Sequence, residues 1–252
     1  MSGCRPEHTS RPVASDQSAP HPRLPGLIRR YRANPHRRPQ DDRFTRLFAE
    51  LDRLIADQGL PVVLDSGCGT GLSSRALAQR FPKCLVIACD RSAARLRKAS
   101  GGISRPDNLR IIRADLPELW AHARITGWPV LHHFLLYPNP WPKPRHLTRR
   151  WHANPAMADL LALGGTFEMR TNWALYADES AQAIGCWTGL KVSAELFRPE
   201  LPLSAFERKY QRSGHALFRV RATLGSLPPT RSITQVTSSN REPSASARSR
   251  PD

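Results

Sequence analysis

The stretch Val63-Leu64-Asp65-Ser66-Gly67-Cys68-Gly69-Thr70-Gly71 decides how this chain folds. In it an apolar strand runs into a turn with glycine at every second position, then into a helical segment containing Arg75, Ala76 and Leu77. Glycines there let the backbone approach a ligand closely, and the helix N-terminus behind them favours partial negative charge. A tight packing turn would use the same glycines, so the acids downstream matter. Asp90 closes the apolar strand Leu85-Val86-Ile87-Ala88, about 20 residues after the turn, where nucleotide-binding folds keep a carboxylate for ribose hydroxyls. Asp115 follows a strand over 109–113 and offers an acceptor for an adenine amine, or else a cap for a helix beginning near Pro117. The glycine turn, Asp90 and Asp115 together predict an adenosine pocket spread over three consecutive strand ends. A dinucleotide dehydrogenase fits less well, because Gly67, Gly69 and Gly71 miss the G-x-G-x-x-G spacing and no hydride-transfer constellation follows.

Outward from that turn, strand and helix signals alternate, the pattern of an open, mostly parallel α/β sheet. Phe44, Leu47, Phe48, Leu51, Leu54 and Ile55 recur at helical spacing until Gly59 and Pro61 stop the helix and Val62-Val63-Leu64 begins a buried strand. Further strands are expected at 84–89, 109–113, 132–137, 166–170, 191–197 and 216–221, for a seven-stranded sheet with helices on both faces. No internal repeat of solenoid length is present.

With 252 residues, 40% of them hydrophobic, the chain can bury one sizeable core. That core is expected over 41–225. Residues 1–40 are crowded with Pro, Ser, His and Arg, residues 226–252 with Ser, Arg and Pro, and both read as disordered basic tails. Arg29, Arg30, Arg32, Arg37 and Arg38 would let the first tail grip phosphates. Lys and Arg outnumber Asp and Glu by 38 to 21, a net charge of +17, which favours a polyanionic partner through counterion release. Cys4, Cys68, Cys84, Cys89 and Cys186 form an odd set without a CxxC pair, so no disulfide framework and no metal site is expected, and a reducing cytoplasm suits them. Cys68 lies in the glycine turn without a neighbouring base and reads as packing. No stretch has the run of apolar residues that a membrane span requires.

The second informative segment is Tyr137-Pro138-Asn139-Pro140-Trp141-Pro142-Lys143-Pro144-Arg145-His146, continuing to Arg149-Arg150-Trp151. Its prolines stiffen a loop at the end of the fourth strand, and they set an amide beside a block of cations. Lys143, Arg145, Arg149 and Arg150, with His146, lie between Glu118 and Asp159 with no intervening acid, and such a block holds phosphates. Trp141, Trp151 and Trp173 are either core residues or platforms for an unpaired base. Glu207, followed by Arg208, Lys209 and Arg212, reads by itself as a surface ion pair.

Asp65 through Gly71 resembles the D/E-x-G-x-G-x-G motif of class I S-adenosylmethionine-dependent methyltransferases. From Leu136 to Arg150 the chain is similar to the F-P-D-P-W-P-K-K-R-H-x-K-R-R phrase of bacterial tRNA (guanine-N7)-methyltransferases. Two further stretches extend the likeness. Thr171-Asn172-Trp173 with Tyr176 and Ala177 resembles that family's T-D-W-x-x-Y-A, and Pro202-Leu203-Ser204-Ala205-Phe206-Glu207 resembles its P-x-T-x-F-E. The resemblance covers about residues 44–222. It implies a Rossmann-like fold, S-adenosylmethionine as methyl donor and tRNA as partner, and it leaves monomer and homodimer open. It implies that Asp65, Gly67, Gly69, Gly71, Asp90, Asp115 and Asn139 line the cofactor site. It also implies that Asn139 acts at the reaction centre and that Lys143, Arg145, Asn172, Ser204, Phe206 and Glu207 meet the substrate.

Asn139 and Asn172 stand where the family usually has Asp, and Ser204 where it has Thr. The serine keeps a hydroxyl, but the two amides remove two negative charges. Guanine N7 carries a free lone pair in the major-groove edge, so its attack on a sulfonium methyl needs no base. Placement alone lowers such a barrier by roughly 7–11 kcal/mol. An amide can still place the purine, while loss of a charged, preorganised partner costs about 2–4 kcal/mol. Asn139-Pro140-Trp141 also partly resembles the N-P-P-Y motif of enzymes that methylate exocyclic or amide nitrogens. Two other readings therefore stay open: a diverged relative acting on another RNA or a protein amide, and a silent RNA-binding scaffold. Retention of Asp65, the three glycines, Asp90 and Asp115 argues against the scaffold.

Overall fold

A computed structural model describes residues 10–35, 41–99 and 105–225. The elements in chain order are α1 (Leu24–Ala33), α2 (Thr45–Gln58), β1 (Val62–Ser66), α3 (Leu72–Arg80), β2 (Leu85–Cys89), α4 (Ala93–Ala99), β3 (Leu109–Ile112), α5 (Leu116–Thr126), β4 (Val130–Leu136), α6 (Met157–Ala162), β5 (Gly165–Thr171), α7 (Ala174–Thr188), β6 (Ala194–Phe197), α8 (Ala205–Arg212) and β7 (Leu217–Leu224). Their strands form one seven-stranded sheet in the order β3-β2-β1-β4-β5-β7-β6. The first five are parallel neighbours, and β7 runs antiparallel to both β5 and β6.

Alternation along each strand builds two cores, one per face, as a pleated strand buried on both sides must. Val62 and Leu64 of β1, with Leu85, Ile87 and Cys89 of β2, join the larger core under α2, α5, α6 and α7. Val63, Val86 and Ala88 face the smaller core with Leu77 and Ala78 of α3 and Leu203 before α8. The helical period read in the sequence is the buried stripe Phe48, Leu51 and Ile55 of α2. Gly59 ends that helix in the left-handed region at φ 60, its N–H donating to the Ile55 carbonyl at 3.0 Å.

Residues 10–35 correct the expectation of a structureless arm. Leu24 and Ile28 of α1 are fully buried with Ala183 of α7, Leu147 and Ala153 in a third apolar cluster. The arm lacks a helical period long enough to fold alone, yet two large apolar residues four apart suffice to dock it on a preformed face. Arg29, Arg30 and Arg32 project from this helix and are exposed, with Arg32 donating to the Cys186 carbonyl at 3.0 Å. Arg37, Arg38 and the tail from 226 onward lie outside the described residues. Among those described, no helix is long and apolar enough to cross a membrane.

Candidate active site

The sheet order reverses at β1, whose neighbours are β2 on one side and β4 on the other. At such a switch point the connections leave in opposite directions, opening a crevice at the carboxyl ends of the strands. The backbone N–H groups of Gly67 and Cys68 both donate to the Cys89 carbonyl, at 2.8 and 3.0 Å, so the glycine turn docks on the end of β2. Gly67, Gly69 and Gly71 have φ of 83, 58 and 71, a region that side chains resist. A Cβ built at Gly67 or Gly69 would meet nothing within 4 Å. The glycines therefore serve the turn's conformation and leave open space beside it.

Asp65 sits at the base of this turn, 1% exposed. Its Oδ2 accepts from Ser73 Oγ and Ser74 Oγ, both at 2.7 Å, while Oδ1 is buried with no hydrogen-bond partner. Burial pushes its carboxyl up to about 6, against the two serine hydrogen bonds and with help from Asp90. An orphaned buried acceptor of this kind is costly unless a donor arrives. Asp90 is also buried. Its Oδ2 accepts from Gly69 N at 2.9 Å and its Oδ1 from Ser92 N at 2.8 Å, with Arg95 3.6 Å away. Each carboxylate oxygen has a second lone pair, so these bonds orient Asp90 and leave it able to accept from a diol. Asp115 occupies the N-cap position of α5, yet its side chain makes no capping bond. It is half-buried and free of the alternative role considered for it. Cys68 is packing, as read: burial raises its thiol well above the usual range.

Asn139 follows β4 on an exposed loop and accepts weakly from Trp141 N at 3.4 Å. Tyr137 and Trp141 on either side of it have φ of 51 and 46, the left-handed region without glycine. Such residues cost of order 1–3 kcal/mol each and persist only where surrounding contacts hold them. Those contacts are present. Tyr137 N donates to the Arg170 carbonyl at 2.7 Å, and its hydroxyl donates to Glu207 Oε1 at 3.0 Å. Arg150 Nε donates to the Trp141 carbonyl at 3.2 Å.

Several sequence expectations are corrected here. Arg150 is no phosphate cation: it is fully buried, paired with Glu179 and stacked 5.0 Å over the Trp173 ring. Lys143, Arg145 and Arg149 remain exposed, with Arg149 4.8 Å over the face of Trp141. Trp151 packs edge-on against Trp120 at 5.0 Å, and Trp173 is buried in the main core, which leaves half-buried Trp141 as the available platform. Glu207 is not a surface ion pair but fully buried. It accepts from Arg170 Nη1 at 2.9 and 3.1 Å, from Tyr137 and from Leu203 N. Ser204 Oγ accepts from Glu207 N at 3.1 Å, so the S-x-x-E phrase starts α8 as a capping motif. Of that phrase Ala205 and Phe206 are exposed, Phe206 at 50%. Asn172, at the end of β5, donates from Nδ2 to His215 Nδ1 at 3.0 Å. Arg170, Glu179 and His215 escaped the sequence reading. Only the Glu168-x-Arg170 spacing, two charges on one face of a buried strand, signalled anything.

Such a site on such a sheet defines a methyltransferase of the Rossmann-like class. A family model described as a putative methyltransferase matches residues 60–220. The 16S rRNA methyltransferase KamB superposes with a TM-score of 0.53 at 19% identity, over 75% of this chain and 96% of that one. A tRNA (guanine-N(7)-)-methyltransferase of Treponema pallidum subsp. pallidum is 33% identical over 174 residues, spanning 64% of this chain and 68% of the relative. One from Photobacterium profundum is 30% identical over 180 residues, spanning 67% and 73%. The chain belongs to the tRNA (guanine-N(7)-)-methyltransferase family.

Proposed function

We propose that this protein transfers a methyl group from S-adenosylmethionine to N7 of a guanine in tRNA. The observation that carries the reading is the orphaned Asp65 Oδ1 beneath an open glycine turn, in one crevice with Asp90, Asp115 and Asn139 at the ends of adjoining strands. These residues fit the donor: Asp65 would take its ammonium group, Asp90 the ribose hydroxyls and Asp115 the adenine amine. When bound, S-adenosylmethionine supplies an electrophilic methyl on a sulfonium. The chain's own work is placement. Asn139, fixed between two left-handed residues, presents an amide to the purine edge, and Asn172 presents another from the next strand. No side chain needs to remove a proton, because N7 is unprotonated in guanine. Exposed Lys143, Arg145 and Arg149 supply positive charge for phosphates at the rim.

One feature favours a second reading: Asn139 can accept from an exocyclic or amide N–H2, which a nitrogen-methylating enzyme would use. Transcripts carrying 7-deazaguanine in place of guanine separate the two, since that base lacks N7 and keeps every exocyclic group. The N7 reading predicts loss of all transfer to the substituted transcript. Undiminished transfer would establish the exocyclic reading instead.

A further inference from the structure

The residues before α1 run between two loops of the site. At one end the Ser10 backbone N–H donates to Ser213 Oγ at 3.0 Å, and its carbonyl accepts from His215 Nε2 at 2.8 Å. A carbonyl only accepts, so Nε2 is the donor and Nδ1 the acceptor, and Asn172 Nδ2 donates to that Nδ1 at 3.0 Å. The amide oxygen of Asn172 is thereby turned away from His215. Five residues on, Ser15 Oγ donates to the Pro142 carbonyl at 2.6 Å. Gln17 then bridges the buried pair, accepting from Arg150 Nη2 at 3.1 Å and donating to Glu179 Oε1 at 2.6 Å. His21 N adds a bond to the same Glu179 oxygen at 2.9 Å. Arg150 in turn holds the Trp141 carbonyl.

We infer that Ser15 and Gln17 are positioning residues for the methyl transfer. With Arg150 and Glu179 they hold the left-handed backbone that carries Asn139, while Ser10 acts through His215 on Asn172. The inference rests on the transfer reading above. Amide chemistry explains why this chain needs such a strap. A carboxylate accepts with either oxygen, whereas an amide accepts on one side only, so an Asn at the reaction centre works only if its orientation is held. The Asn139 loop meets this short segment directly and Asn172 meets it through His215. That segment lies before residue 60, outside the region the family model matches.

The test uses the full chain with Ser15→Ala and Gln17→Ala combined, beside Ser15→Thr, which keeps the hydroxyl. Steady-state transfer to tRNA should show kcat reduced on the order of ten- to a hundredfold. KM for tRNA and calorimetric affinity for S-adenosylmethionine should stay within about twofold, and Ser15→Thr should act like the parent. A loss confined to KM would make the segment an RNA contact and overturn the inference, as would an unchanged kcat. Amide hydrogen exchange at Asn139, Trp141 and Lys143 judges the strap even if the parent methylates no tRNA, an outcome that would sink the transfer reading instead. Faster exchange in the double variant supports the strap, and unchanged exchange overturns it.

Discussion

Asp65 is held at a cost that the site uses. Its carboxyl, raised from 3.8 to about 6, is ionised at neutral pH against a penalty of up to about 3 kcal/mol at 1.36 kcal/mol per unit. Asp65→Asn should therefore raise the melting temperature of the free protein at pH 7.5 while weakening S-adenosylmethionine binding at least about tenfold. Calorimetric titration beside thermal melting checks both, and a variant that melted lower yet bound normally would contradict the assignment. Asn139 calls for the opposite experiment. Restoring the carboxylate with Asn139→Asp adds a charge facing a purine that turns cationic, and kcat for guanine methylation should rise by up to about a hundredfold. A fall would favour an amide-nitrogen acceptor. The places of Asp65, Asp90 and Asn139 at strand ends were legible because short apolar runs lead into each of them. Glu207 was not, because its neighbours in sequence are cations while its partners in space, Tyr137 and Arg170, come from two other strand ends.

The elements were legible wherever a local period exists. All seven strands fall within a few residues of their expected places, because runs such as Leu85-Val86-Ile87-Ala88 are too apolar to lie anywhere but inside. The docked α1 was missed because its fit depends on α7, which lies far along the chain. The segment before α1 is fastened by the buried pair Arg150 and Glu179, which bonds Gln17 and the His21 N–H. Against the burial that pushes it up, hydrogen bonds from His152, Arg150 and Gln17 hold the Glu179 carboxyl down to about 2. Removing one partner leaves an uncompensated buried charge, so Glu179→Ala should destabilise the protein by about 3–5 kcal/mol. Chemical denaturation measures this, and a change under about 1 kcal/mol would show that the pair does not hold the segment.

At the scale of the molecule, several buried groups set the response to acid, among them His133, Asp65 and Glu179. Burial depresses His133 to about 4 from 6.5, so the unfolded chain binds that proton first and stability falls as pH drops from 6.5 to 4. Asp65 works the other way: its folded carboxyl, raised to about 6, takes a proton first, so stability rises between pH 6 and 3.8 and offsets the histidine. Glu179, depressed from 4.5 to about 2, stabilises above 4.5 and loses that contribution on the way down to 2. Burial depresses His152 as well, and Arg170 and Arg221 hold Glu168 down against its burial, so the protein should lose stability gradually from pH 6.5 and steeply below about pH 4.5. Asp65→Asn, lacking the offset, should decline more steeply below pH 6.5. Melting temperatures of both proteins across this range test the balance, and identical profiles would contradict it.

A site with two amides in place of carboxylates should still methylate guanine N7. The most direct measurement is transfer from labelled S-adenosylmethionine to unmodified bulk tRNA by the purified protein, followed by digestion and nucleoside analysis. Label should appear in 7-methylguanosine. Label in any other nucleoside, or none despite calorimetric binding of S-adenosylmethionine, would contradict it.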